Sequence, residues 1–153
     1  MITINRILCP VDFSDESKDT LQYAIEFARN SGAEIVLLNV LPSESMYSYD
    51  TYVVPMSVLE STRKSAEEEL DKLALKVKSE LVNSKIITEI ADGNPADSIT
   101  ESAKRNETDL IIMSSHGRTG ISRLLLGSVA ELVLREAHCP VMVIKSSKNV
   151  KIV

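Results

Sequence analysis

The feature that most constrains this chain is an alternation that runs its whole length: short apolar runs of strand length are separated by stretches with helical periodicity. Residues 5–11 form the first apolar run. Ser14 follows as an N-cap with Asp15 and Glu16 in the first turn, and Leu21, Ala24, Ile25 and Ala28 recur at i, i+3, i+4 and i+7. Asn30, Ser31 and Gly32 supply the stop. Residues 33–41 are apolar without alternation, as in a strand buried on both faces.

Residues 42–55 are rich in Ser and Tyr, lack a period and are long for a connection, so they read as a mobile loop or a functional lid. From Ser57 an apolar stripe at Ala66, Leu70, Leu73, Ala74, Val77 and Leu81 marks an amphipathic helix whose Glu67, Glu68 and Glu69 are a solvated face. Residues 86–91 predict the third strand, and Asn94 with Pro95 opens the third helix. Residues 109–115 predict the fourth strand, a helix is expected from about residue 121 to 137, and residues 140–145 complete the series with a proline-led strand.

A βαβαβαβαβ series with right-handed crossovers closes as an open five-stranded parallel sheet with helices on both faces, a Rossmann-like α/β fold of strand order 3-2-1-4-5. A chain of 153 residues builds one such core. Residues 1–147 are therefore assigned to a single domain and 148–153 to a solvated tail. Ligands of such sheets collect beyond the C-terminal strand ends where the order reverses, which directs attention to Pro10, Val11, Asp12, Val40 and the stretch from Met113 to Arg118.

Charge and composition narrow the function. The net charge is −5, which opposes non-specific attraction to nucleic acid, so nucleic acid is not an expected partner. No stretch free of Asp, Glu, Lys and Arg reaches the roughly 18 apolar residues of a membrane span. The first residues lack a cationic start followed by an apolar run, so the cytoplasm is the expected compartment. Cys9 and Cys139 stand apart in apolar surroundings and read as buried thiols, not as metal ligands.

Several nucleotide and catalytic motifs are missing. The first strand-to-helix turn, Pro10-Val11-Asp12-Phe13-Ser14, has no glycine, which excludes a GxGxxG fingerprint there, and the chain has no Gly-Lys-Ser/Thr, GxSxG or HExxH. What remains is Gly117, nine residues, then Gly127-Ser128. Two readings of this spacing stay open. Small residues could let backbone N–H groups approach a polyanion, or Gly117 and Gly120 could form a plain turn while Gly127 permits close helix packing.

These stretches together resemble one family over nearly the whole chain. Ile7 to Ser14 is similar to the first strand and turn of universal stress protein (UspA-like) domains, Met113 to Glu131 to their nucleotide-binding signature, and Cys139 to Ile144 to their final strand. The signature of ATP-binding members, Gly-x2-Gly-x9-Gly-Ser/Thr, falls here on Ser114, Gly117, Gly127 and Ser128, so serine replaces the first glycine. The resemblance implies that Asp12 meets the ribose or a metal-linked phosphate and that Val40 contacts adenine through its backbone. Ser115, His116, Gly117, Arg118, Gly127, Ser128 and Val129 would line the phosphates. ATP is the implied ligand, with Mg²⁺ or Mn²⁺ held mainly by the phosphates and by Asp12.

Adjacent residues at a strand end project to opposite sides, so the Ser115 hydroxyl is not expected to meet the His116 imidazole, and a Ser-His-acid hydrolase is not expected. No residue set is poised for efficient turnover, leaving slow ATP hydrolysis at most. The last helical region is apolar nearly all round, and an edge strand at Val141–Ile144 would expose backbone groups; family members commonly dimerise through this strand. The expected function is an ATP-binding, homodimeric regulatory module of the stress response that signals to a protein partner which the sequence does not name. The alternative is a dimeric interaction protein of the same family that binds no nucleotide, for which Ser114 is the support.

Overall fold

The computed structural model describes residues 2–43, 54–116 and 126–145. Five strands, β1 (Arg6–Pro10), β2 (Glu34–Leu41), β3 (Ile86–Asp92), β4 (Leu110–Ser114) and β5 (Val141–Ile144), form one sheet of order β3-β2-β1-β4-β5. All four pairings are parallel. Four helices connect or follow them: α1 (Asp15–Ser31), α2 (Met56–Glu80), α3 (Pro95–Arg105) and α4 (Ser128–Glu136). Among the described residues no helix is long and apolar enough to cross a membrane.

Alternate strand residues face opposite layers, and both layers are covered. Ile7, Cys9, Ile35, Leu37 and Ile112 pack with Leu21, Ala24 and Ile25 of α1 and with Leu70 and Val77 of α2. Leu8, Val36, Leu38, Ile111 and Met113 pack on the other face with Ile99 and Ala103 of α3 and Ala130 and Val133 of α4. Two-sided burial explains why β1 and β2 read as continuous apolar runs.

The helix ends follow their local chemistry. Ser14 caps α1, its side chain accepting from Ser17 N at 3.2 Å, and Gly32 closes it at φ 75°, its N–H donating to Ala28 O at 2.8 Å. A Cβ at Gly32 would meet nothing within 4 Å, so the left-handed backbone, not space, is what favours glycine there. Asn94 caps α3 through bonds from Ala96 N and Asp97 N, with Pro95 in the first turn.

The N-terminal edge of the sheet is tied by polar pairs. Arg6 and Glu34, in register across β1 and β2, form an ion pair at 2.8 Å, and Asp109 Oδ2 accepts from the backbone N–H of Asn5 and Arg6. On edge strand β3, Glu89 accepts from Ser102 Oγ, Arg105 and Asn106 Nδ2 at 2.7–2.8 Å. Burial alone would raise its pKa, but these bonds and the Arg105 charge outweigh that and hold its carboxyl below the ordinary value.

Three expectations need correction. The last helix starts at Ser128, not near residue 121; residues 117–125 lie outside the described residues, and Leu126 and Gly127 are not helical. Gly127 is extended (φ −64°, ψ 149°) because its N–H is committed to Ser115 O at 2.8 Å, which holds it outside the helix as the N-cap. Pro140 stands just before β5, its carbonyl accepting from Ile111 N at 3.0 Å. Cys139 is only half-buried, since it lies on the turn leading to the sheet edge. The expected loop or lid at 42–55 falls mostly on residues 44–53, outside the described residues.

Cys9 is sealed inside β1, and burial pushes its thiol up to about 12. A thiol reagent at pH 8 is therefore expected to label Cys139 in the native protein and Cys9 only after unfolding; prompt labelling of both would contradict a buried β1. Above the ordinary thiol range an unfolded Cys9 ionises while the folded one keeps its proton. Chemical denaturation should accordingly show stability falling as pH rises toward 12, a slope that Cys9→Ala should reduce.

Candidate functional site

The register shows where the sheet opens. β1 pairs with β2 over five residues and β4 with β5 over four, but β1 pairs with β4 only at Ile7↔Leu110 and Leu8↔Ile111. Beyond those pairs the two central strands part, and this is the point where the strand order reverses. A crevice at the C-terminal ends is the consequence.

On the β1 side the chain turns sharply without glycine. Val11 N donates to Leu38 O at 2.8 Å, and Val11 O accepts from Asn39 Nδ2 at 2.7 Å. Phe13 then takes a left-handed φ of 64°, which for a residue with a Cβ costs roughly 1–2 kcal/mol. Packing of its ring against the core holds it there. The turn is further fixed by Asp12 Oδ1, which accepts from Ser14 N at 3.0 Å and Ser14 Oγ at 2.5 Å.

A cavity of about 790 Å³ lies beside this turn, between the tip of β2 and the first half of α2. Asp12, Phe13 and Lys18 form one wall, Asn39 and Val40 another, and Thr62, Ser65 and Glu69 of α2 a third. The wall carries both signs of charge, with hydroxyls between them. That composition suits a polar ligand better than a purely apolar one.

On the β4 side, Ser114 is the last strand residue and Ser115 the first of the turn. The Ser115 backbone is held twice: its N–H donates to Ile144 O at 2.9 Å and its carbonyl accepts from Gly127 N at 2.8 Å. Its hydroxyl lies 2.9 Å from His116 Nδ1, so these side chains do meet, contrary to expectation. The alternation rule fails here because the strand has already ended. Among the described residues no carboxylate bonds His116, so within them no Ser-His-acid triad is assembled.

Close packing, one of the two readings left open by the spacing, is present at Gly127. A Cβ at this position would stand 2.6 Å from Ser115 O, closer than real contacts allow. Glu131 N donates to Gly127 O at 2.9 Å, and the N-cap of α4, Gly127, has no side chain to offer its first turn. The first-turn amides of Ser128, Val129 and Ala130 thus have no carbonyl of their own helix to bond, and the helix dipole adds a partial positive charge.

Of the residues singled out from sequence, Asp12 and Val40 meet in the cavity. Pro10 and Val11 form the strand end behind it. Met113 is buried in the core on the α3 and α4 face. Ser115, His116, Gly127, Ser128 and Val129 gather instead at the β4 tip, while Gly117 and Arg118 lie outside the described residues. Asn39, Phe13, Lys18 and the α2 wall were not foreseen. Asn39 had a signal, as the lone polar residue between Ile35 and Leu41; the α2 residues had none, because they look like any solvated helix face. Among the described residues no three His, Cys, Asp or Glu side chains gather as a metal site.

The model of the universal stress protein family matches residues 3–145. The universal stress protein MJ0531 of Methanocaldococcus jannaschii is 36% identical over 147 residues, spanning 94% of this chain and 84% of that one. The solved universal stress protein UspA of Lactobacillus plantarum superposes with a TM-score of 0.79 at 26% identity, covering 93% of this chain and 98% of that one. A universal stress protein from Archaeoglobus fulgidus, solved in complex with dAMP, shares the fold at a TM-score of 0.67 and 22% identity, over 95% and all 100% of the two chains. With the family model matched over almost its full length and a relative at this identity, the chain belongs to the universal stress protein family.

Proposed function

We propose that this protein is a cytoplasmic module that binds ATP or a related adenine nucleotide and reports its occupancy to a partner protein as a homodimer. The observation that carries this reading is the parting of β1 from β4 next to an α4 N-terminus whose N-cap, Gly127, carries no side chain. In this reading the phosphates meet the amides of Ser128, Val129 and Ala130 and the turn at Ser115, His116, Gly117 and Arg118. Asp12 faces the ribose, and the backbone of Val40 faces the adenine. The dAMP complex of the Archaeoglobus fulgidus relative lends support by its ligand class.

Ser114 ends β4 in extended backbone and is not among the described residues with positive φ, so backbone conformation does not demand glycine there. Mg²⁺ or Mn²⁺ would supply charge neutralisation of the phosphates, held mainly by phosphate oxygens with Asp12 as the protein carboxylate. The role of the chain's own groups is binding. Among the described residues at the β4 tip no base is held by an acid partner, and in this reading turnover beyond slow hydrolysis is not expected.

The dimer reading is supported by β5, an edge strand of the sheet whose four residues are only half-buried; Leu126, Leu132 and Leu134 are exposed as well. Light scattering at micromolar concentration should return twice the chain mass of 16.9 kDa, and a monomeric mass would contradict the dimer.

Protein purified without added nucleotide should release an adenine compound on denaturation, and stripped protein should take up ATP in calorimetric titration, more tightly with Mg²⁺. No adenine compound and no binding heat at millimolar ATP would favour the alternative, a dimeric interaction protein that binds no nucleotide. Gly127→Ala should push the Ser115 carbonyl away and weaken ATP binding by tenfold or more, on the order of 1.4 kcal/mol. Unchanged affinity in a folded Gly127→Ala variant would remove the β4 tip from the site.

A further inference from the structure

We propose that Asn39 is the positioning residue of this site, setting Asp12 through the carbonyl of Val11; the inference rests on the nucleotide-binding reading above. Asn39 is 5% exposed and Val11 3%. The bond from Asn39 Nδ2 to Val11 O at 2.7 Å and that from Val11 N to Leu38 O at 2.8 Å commit both polar groups of the Val11 backbone to β2. They do so just past the end of β1, where its pairing with β4 has already stopped. The next residue is Asp12, so the peptide plane that Asn39 holds is the one from which Asp12 projects.

The rest of Asn39 is not satisfied by the fold. Its Oδ1 is buried without a hydrogen-bond partner, while its neighbours Ile35, Val36, Leu37 and Leu38 are apolar and wholly buried. The donated bond satisfies the Val11 carbonyl, which an apolar residue here would leave orphaned, and the unpartnered Oδ1 offsets part of that gain. The amide also cannot turn round, because Val11 O accepts only a donor. Asn39 and Asp12 line the same cavity, so the bond that satisfies the Val11 carbonyl also fixes a carboxylate at the cavity wall.

The test is a double-mutant cycle of Asn39→Leu and Asp12→Asn, read by calorimetric ATP titration and by melting temperature. Asn39→Val serves as a second donor-free variant should the leucine disturb folding. The donor-free variants orphan the Val11 carbonyl and should stay folded while melting roughly 2–12 °C below the natural protein. Each should bind ATP about tenfold more weakly, and the double variant should bind no more weakly than Asp12→Asn alone. Natural affinity in Asn39→Leu, losses that multiply in the double variant, or an Asp12→Asn that binds normally would each overturn the proposal. Absence of ATP binding by the natural protein would instead overturn the nucleotide reading, and this inference with it.

Discussion

The separation of β1 from β4 is the constraint on which the rest of the structure depends. Two pairs join these central strands, against five between β1 and β2. Once they part, the backbone groups at both tips need partners from elsewhere. On one side β2 supplies them, through Leu38 O and Asn39 Nδ2 to Val11. On the other, β5 and the residue before α4 supply them, through Ile144 O and Gly127 N to Ser115. The crevice is therefore not a gap left by loose packing; each lip is fixed by long-range bonds.

The N-terminal edge of the sheet is tied across strands: Arg6 pairs with Glu34 and reaches the carbonyl of Asn106, and Asp109 accepts from Asn5 and Arg6. Local costs nevertheless stand at both ends. The C-terminal end carries a left-handed Phe13 and an orphaned Asn39 Oδ1, and the N-terminal end a left-handed Glu107 and an orphaned Thr108 Oγ1. Each is of order 1 kcal/mol. What sets the C-terminal end apart is therefore the parting of β1 from β4, not strain alone.

Most of the fold was legible because its strands are short, apolar and punctuated. Ser14, Gly32 and Asn94-Pro95 carry their caps in their chemistry, and the five-stranded order follows from the alternation. The start of α4 was not legible. Leu124, Leu125 and Leu126 extend the apolar pattern toward the N-terminus, and what holds Gly127 outside the helix is a bond to Ser115, twelve residues back, which periodicity cannot register. The contact between Ser115 and His116 escaped for a related reason, since the strand ends one residue earlier than its apolar run suggested. Of the site, Asp12 and Val40 could be placed from strand ends, whereas Thr62, Ser65 and Glu69 join the cavity only because α2 folds back over the tip of β2.

A crystal structure of the protein with a non-hydrolysable ATP analogue bears most directly on this account. The account predicts phosphate oxygens within hydrogen-bond distance of the Ser128, Val129 and Ala130 amides, with the Gly127–Ser115 bond intact and the adenosine reaching toward Asp12 and Val40. An analogue bound away from the parted tips, or α4 amides capped by the protein's own side chains in its presence, would contradict it.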